Sequence, residues 1–296
     1  AVRGAGKYIS SDVTNAEATG SHMNSFDSDG FTVSAASSNR TNAAQTYVAW
    51  NWLAGTAFSN DASATGVGTI DSSGQVNTTA GFSIISWTGI GSAGTVAHGL
   101  GATPTAIIIK NRDQGDKWIV YHQGQNASPA TGYLSLNETS AFGASTSVFN
   151  NTAPTSTVFT VNTGGSVNAS SENYIAYCFT DIEGYSKVGG SYVGNGNADG
   201  TFVYTGFRPA WVMIKKYNAA GQWWTIFDNV RDTHNVNTQR LWANATDAES
   251  AYSTDQVDFV SNGFKPRGTY DSINGSGSSY LYLAFADQPF KFSNAR

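Results

Sequence analysis

Four histidines, one cysteine and a scatter of carboxylates carry whatever metal or acid–base chemistry this chain can offer. His22, His98, His122 and His234 stand far apart, without His-x-x-x-His spacing or a neighbouring cysteine, so they compose no zinc-type site. Asp27-Ser28-Asp29-Gly30 opens like a calcium loop but lacks the later ligands and the closing Glu, and reads as a turn. Asn195-Gly196-Asn197-Ala198-Asp199-Gly200 is richer in side-chain oxygen and stays open as a calcium ligand set, with one carboxylate to offer. Gly89-Ile90-Gly91-Ser92-Ala93-Gly94 has glycines without the lysine and helix of a phosphate loop. No Gly-x-Ser-x-Gly elbow occurs. Paired carboxylates for glycoside hydrolysis need not be near in sequence, and nothing singles out a pair. The expectation is a protein that is not an enzyme, with no cofactor and no metal.

The tryptophans remain. Trp50, Trp52, Trp87, Trp118, Trp223 and Trp224 sit in strand-like runs, mostly matched by an aromatic elsewhere in the internal repeat described below, as core packing requires. Trp211 and Trp242 differ: their counterparts are Ala106 and Leu134 or Ser135. These two are the candidates for stacking on a glycan. Glycosylation sequons, including Asn39, Asn137, Asn168 and Asn244, are only slightly more frequent than an Asn-, Ser- and Thr-rich composition produces by chance, and are weak evidence of glycosylation.

Composition sets the frame that must hold these residues. Of 296 residues, 40% are hydrophobic and only 12% charged, against about 25% charged in a typical soluble domain. Such a chain can bury a core but cannot form long charged helices or a coiled coil. A net charge of −5 with 16 scattered basic residues argues against nucleic acid as a partner. No apolar run is long enough for a membrane helix, so no membrane partner is expected. The lone Cys178 has no intrachain disulfide partner.

The chain repeats itself. Ser86-Trp87-Thr88-Gly89 matches Ser191-Tyr192-Val193-Gly194 about 105 positions further on. The same offset pairs Pro104 with Pro209, Ile109 with Ile214, Lys110 with Lys215 and Trp118 with Trp223. Asn137-Glu138-Thr139 matches Asn244-Ala245-Thr246, and the closing runs Tyr174–Phe179 and Tyr280–Phe285 correspond. A third, partial copy lies at the start: Val2-Arg3 reads like Val230-Arg231, Thr14-Asn15-Ala16-Glu17 like Thr246-Asp247-Ala248-Glu249, and Tyr47–Trp52 like the closing strands. The expected organisation is a partial β-module over 1–54 holding later strands only, a Ser/Thr/Gly-rich linker over 55–80, and full modules over 81–188 and 189–296. The first copy begins in mid-module, so its missing strands are expected from elsewhere: an upstream part of the same precursor or a neighbouring subunit.

Short runs of β-branched and aromatic residues bounded by turn chemistry predict strands over Phe82–Thr88, Thr105–Asn111, Lys117–His122, Val158–Asn162, Tyr174–Thr180, Thr201–Thr205, Ala210–Lys216, Trp223–Phe227 and Tyr280–Ala286. Thr14–Thr19 and Thr246–Ala251 look like short helices, each with a Thr followed three residues later by Glu. The fold class is therefore all-β, as tandem antiparallel, jelly-roll-like β-sandwich modules.

The segments Phe26–Phe31, Tyr47–Trp52, Tyr174–Phe179, Glu183–Lys187 and Tyr204–Ala210 resemble an uncharacterised family of repeat-containing proteins of aquatic tailed phages, tail-fibre or virion structural proteins, over nearly the whole chain. The resemblance carries no catalytic residues. It implies a structural subunit of a phage tail fibre or surface fibre, on the virion surface, with copies of itself or other virion or filament subunits as partners. Two alternatives stand beside it: a carbohydrate-binding module that recognises a host-surface glycan, and a subunit of a non-viral extracellular filament.

Overall fold

A computed structural model of the chain describes residues 2–34 and 44–287. The Asn39 sequon and positions 288–296 lie outside them. Strands dominate, because the apolar residues come in short alternating or β-branched runs that pack on a pleated surface better than on a helix.

The N-terminal segment holds two small hairpins, β1 (Lys7–Tyr8) with β2 (Ala18–Thr19), and β3 (Met23–Phe26) with β4 (Phe31–Val33). The middle segment runs through β5 (Thr56–Asn60), helix α1 (Ala62–Thr65), β6 (Ser72–Asn77), β7 (Phe82–Thr88), β8 (Gly94–Ala97), β9 (Ala106–Asn111), β10 (Ile119–His122), β11 (Gly132–Ser135), β12 (Gly143–Ala144), helix α2 (Thr146–Phe149), β13 (Val158–Val161), helix α3 (Gly165–Asn168) and β14 (Asn173–Phe179). The C-terminal segment comprises β15 (Ser186–Val193), β16 (Val203–Tyr204), β17 (Pro209–Lys216), β18 (Thr225–Asp228), β19 (Gln239–Trp242), β20 (Ser250–Ala251), β21 (Val257–Val260), β22 (Gly263–Pro266) and β23 (Ser279–Ala286).

Two large antiparallel sheets result. One is ordered β12-β11-β10-β9-β14-β7-β6-β5, the other β15-β23-β17-β18-β19-β20. Counted from the first strand after the β5–β6 hairpin, the order of the first matches that of the second strand for strand. Each large sheet is covered on one face by a small one, β8–β13 in the middle segment and β16-β22-β21 in the C-terminal segment. Both are β-sandwiches.

The large sheets are buried on both faces, and period-two alternation sorts their side chains. Along β9, Ile107 and Ile109 enter the core under the small sheet, while Ala106 and Ile108 face the other way. Along β17, Val212 and Ile214 point inward and Trp211 and Met213 outward. The outward faces of the two large sheets pack on one another, with Trp50 and Trp52 of the N-terminal segment among them. The sandwiches thus lie face to face, not end to end as a rod of tandem domains would place them.

Four sequence expectations are corrected. Residues 55–80 are not a bare linker: β5 and β6 form a hairpin that extends the large sheet through pairing of β6 with β7. Small polar residues suit an edge hairpin held by main-chain bonds, and Gly74 passes so close to the Ile84 carbonyl that no Cβ could be fitted there. Tyr47–Trp52 makes no strand, since no strand of the described residues lies beside it in the way that β7 and β9 flank β14; its tryptophans are instead half-buried against the junction of the large sheets. The Thr14 and Thr246 stretches are not helices but lead into β2 and β20, and their glutamates join ion pairs rather than capping boxes. Finally, Trp118 corresponds to Trp224, not Trp223: Ile119 lies opposite Ile109 and Thr225 opposite Ile214, so the second turn holds one extra residue.

Candidate functional site

The histidines and acidic loops are occupied internally. His98 and His122 are fully buried, and burial drives both imidazoles down to about 4. His122 Nε2–H donates to the Tyr282 carbonyl at 3.1 Å and its Nδ1 accepts the Gly124 N–H at 3.1 Å, tying the middle segment to β23. Asp27 accepts the hydroxyls of Ser25 and Thr32 in the β3–β4 turn. In the Asn195–Gly200 loop, Asn195 and Asn197 oxygens accept main-chain N–H groups, and Asp199 pairs with Lys265 at 2.5 Å and Arg267 at 3.2 Å. No group of three or more potential metal-binding side chains occurs among the described residues. Among them, too, no helix is long and apolar enough to cross a membrane.

The junction between the large sheets is the feature that stands out. Trp52, Phe179 and Phe285 meet there in a triangle, with ring centroids 6.5 Å (Trp52–Phe179), 5.3 Å (Trp52–Phe285) and 5.9 Å (Phe179–Phe285) apart. These are the sixth residues of the matched runs Tyr47–Trp52, Tyr174–Phe179 and Tyr280–Phe285. One position of these matched runs, aromatic each time, contacts its own counterparts. All three contacts are edge-to-face, the arrangement that ring quadrupoles favour.

Matched residues also hold the segments together. The strand registers make Ser10 the counterpart of Ser135, and Glu17 that of Phe142. Between the N-terminal and middle segments, Trp118 Nε1–H donates to the Ser10 carbonyl at 3.0 Å and the Glu17 N–H to the Arg112 carbonyl at 2.8 Å. Between the middle and C-terminal segments, Trp224 Nε1–H donates to the Ser135 carbonyl at 2.9 Å and the Phe142 N–H to the Tyr217 carbonyl at 2.9 Å. It is one contact, made twice. Glu17 adds a carboxylate fork on Arg112 and a 2.9 Å bond from Arg3, repeated within the C-terminal segment by Arg231 and Glu249 at 2.9 Å. Burial alone would raise the Glu17 carboxyl, but the Arg112 and Arg3 hydrogen bonds together hold it below the ordinary range.

Trp211, expected as a glycan platform, has no exposed face to offer. It is 8% exposed and packed edge-on against Trp50 at 6.1 Å and Trp52 at 5.8 Å. Its counterpart is Ala106 because the matched positions meet unlike neighbours at the junction. Trp242 is partly exposed, 5.8 Å from Trp223, with the Arg240 guanidinium 4.9 Å from its ring. Arg240 also stacks on Tyr252 at 3.5 Å and pairs with the fully buried Asp255. Trp211 and Trp242 do line the same aromatic cavity, of about 460 Å³, between the segments. The meeting of Trp52 with both phenylalanines was not foreseen from sequence; the signal was an aromatic at one position in all three copies.

These features define an all-β protein of paired sandwiches whose most elaborate site is an aromatic junction between matched segments. The chain belongs to the family described as a domain of unknown function, DUF7483, which matches residues 1–289. No curated protein and no solved structure matches it.

Proposed function

We propose that this chain is a structural assembly module: three copies of one β-unit, the first partial, the two full copies adhering through their large-sheet faces and the first through its tryptophans and hairpin. The convergence of Trp52, Phe179 and Phe285 carries this reading, because a unit whose apolar outer face is completed only by further copies is built for association rather than for turnover. Together with the resemblance of its motifs to phage fibre proteins, this favours a non-catalytic subunit of a virion appendage, a tail fibre or surface fibre, over a subunit of a cellular filament. Immunogold labelling with antibodies to the chain tests it. Gold on appendages of purified particles is the expected result; gold confined to cell-surface filaments, or to neither, overturns the viral assignment.

Glycan recognition is the second reading, favoured by the partly exposed Trp223–Trp242 pair. A glycan array comparing the chain with Trp242→Ala tests it, and binding that the substitution abolishes supports it.

A further inference from the structure

The contact made twice is head-to-tail: Trp118 and Arg112 of the middle segment meet Ser10 and Glu17 of the N-terminal one, and Trp224 and Tyr217 of the C-terminal segment meet Ser135 and Phe142 of the middle one. Head-to-tail contacts close into a ring when the rotation suits. Three matched residues that touch pairwise are the arrangement a three-membered ring of segments would place at its centre. A third equivalent contact would be received by Trp242 and Glu249 of the C-terminal segment, the counterparts of Ser10 and Glu17. It would be given by a β9–β10-type hairpin. Residues 2–34 and 44–54 hold counterparts of β19 to β22 and of the closing run, but none of β17 or β18.

The receiving face is where the cavity lies. Leu241, Trp242, Ala243 and Asp247 line it from the C-terminal segment and Ser11 and Trp52 from the N-terminal one. These walls are mostly apolar and continuous with an interface already made twice, which suits them to a further copy of the partner that fills the other two positions. We infer that this face binds the opening hairpin of another copy of the module, an apolar strand pair of the kind formed by Pro209–Lys216 and Thr225–Asp228, whose tryptophan donates to the Trp242 carbonyl and whose outgoing strand accepts the Glu249 N–H. The ring of three large sheets then closes. This rests on the reading of the chain as an assembly module but is tested without reference to virions, so either can fail alone.

The test extends the full chain. Because Val2-Arg3 matches Val230-Arg231, a copy of residues 189–229 is joined directly ahead of Val2. The expected outcome is a higher melting temperature and loss of binding of an apolar dye, with most of both effects absent when the added copy carries Trp224→Ala. An added copy that stays protease-sensitive and leaves melting and dye binding unchanged overturns the inference. Independently, a labelled peptide of residues 206–228 is titrated into the unextended chain and into Leu241→Asp. Saturable binding weakened at least about tenfold by the substitution supports the proposal, and no binding at about 100 μM overturns it. A chain dimeric through this face, with a dimer that Leu241→Asp dissociates and whose cross-links map outside residues 206–228 of the second copy, also overturns it.

Discussion

Phe179, the last residue of β14, and Phe285, next to last in the matched strand β23, lie edge-to-face at 5.9 Å across the junction of the two large sheets. Both are 8% exposed, and neither belongs to the core beneath its own small sheet. Truncating either to Ala should cost about 3–5 kcal/mol. Since the rings touch, the double variant should cost less than the sum of the singles, by roughly 0.5–3 kcal/mol. Denaturant titrations of the four proteins measure this, and strict additivity would show that the contact contributes nothing of its own.

Trp118→Phe keeps most of the apolar surface and removes the Nε1–H bond to Ser10. The expected loss is about 1 kcal/mol, concentrated where the N-terminal segment docks. Amide exchange should quicken over residues 7–19 while β14 and β23 stay protected. Uniform quickening would place the effect in the global fold instead.

Stability should fall on mild acidification. His98 and His122 titrate near 6.5 when unfolded and near 4 when folded, so between these values the unfolded chain binds more protons and stability decreases as pH drops. Shifts of this size correspond to roughly 3 kcal/mol from each histidine once pH is below 4. His122→Gln retains a donor for Tyr282 and an acceptor for Gly124 without a titrating ring, so it should remove about half of the slope. Unfolding free energies measured from pH 4 to 7 in both proteins decide it.

Glu17 contributes on the same side. Its carboxyl is held low in the folded chain, so the stability it adds is present above its unfolded value and is lost as pH falls through the folded one. Glu17→Gln should loosen the N-terminal segment at neutral pH, seen as faster proteolysis within residues 2–34. The difference from the parent chain should shrink in strong acid, where the parent carboxylate is itself protonated. A difference that persists there would rule out charge as the cause.

Gly74→Val tests the β5–β6 hairpin. A side chain at that position meets the Ile84 carbonyl, so β6 must separate from β7. Thr56–Asn60 and Ser72–Asn77 should lose amide protection while the sheet from β7 to β12 survives. If protection is kept, the close approach is less constraining than its geometry indicates.

The sequence by itself determined the strands and their matching. β-branched alternation marked β7, β9, β14, β17 and β23 to within a residue or two, and the offset of about 105 tied Lys110 to Lys215. Both lysines prove to be buried caps: Lys110 Nζ bonds the carbonyls of Asn111 and Gln114, and Lys215 Nζ that of Gln222. Burial lowers both ammonium groups to about 8. Only the tertiary structure decided what the outward faces do. Alternation reports that a side chain is apolar and which face it takes, but not whether the opposing surface is a small sheet, another large sheet or water. Ile107 and Ile108 read alike in sequence, yet one lies under the small sheet and the other at the junction. In the same way Tyr47–Trp52 carries the pattern of a strand, and no strand forms, because a strand is completed by neighbours that its own residues do not encode.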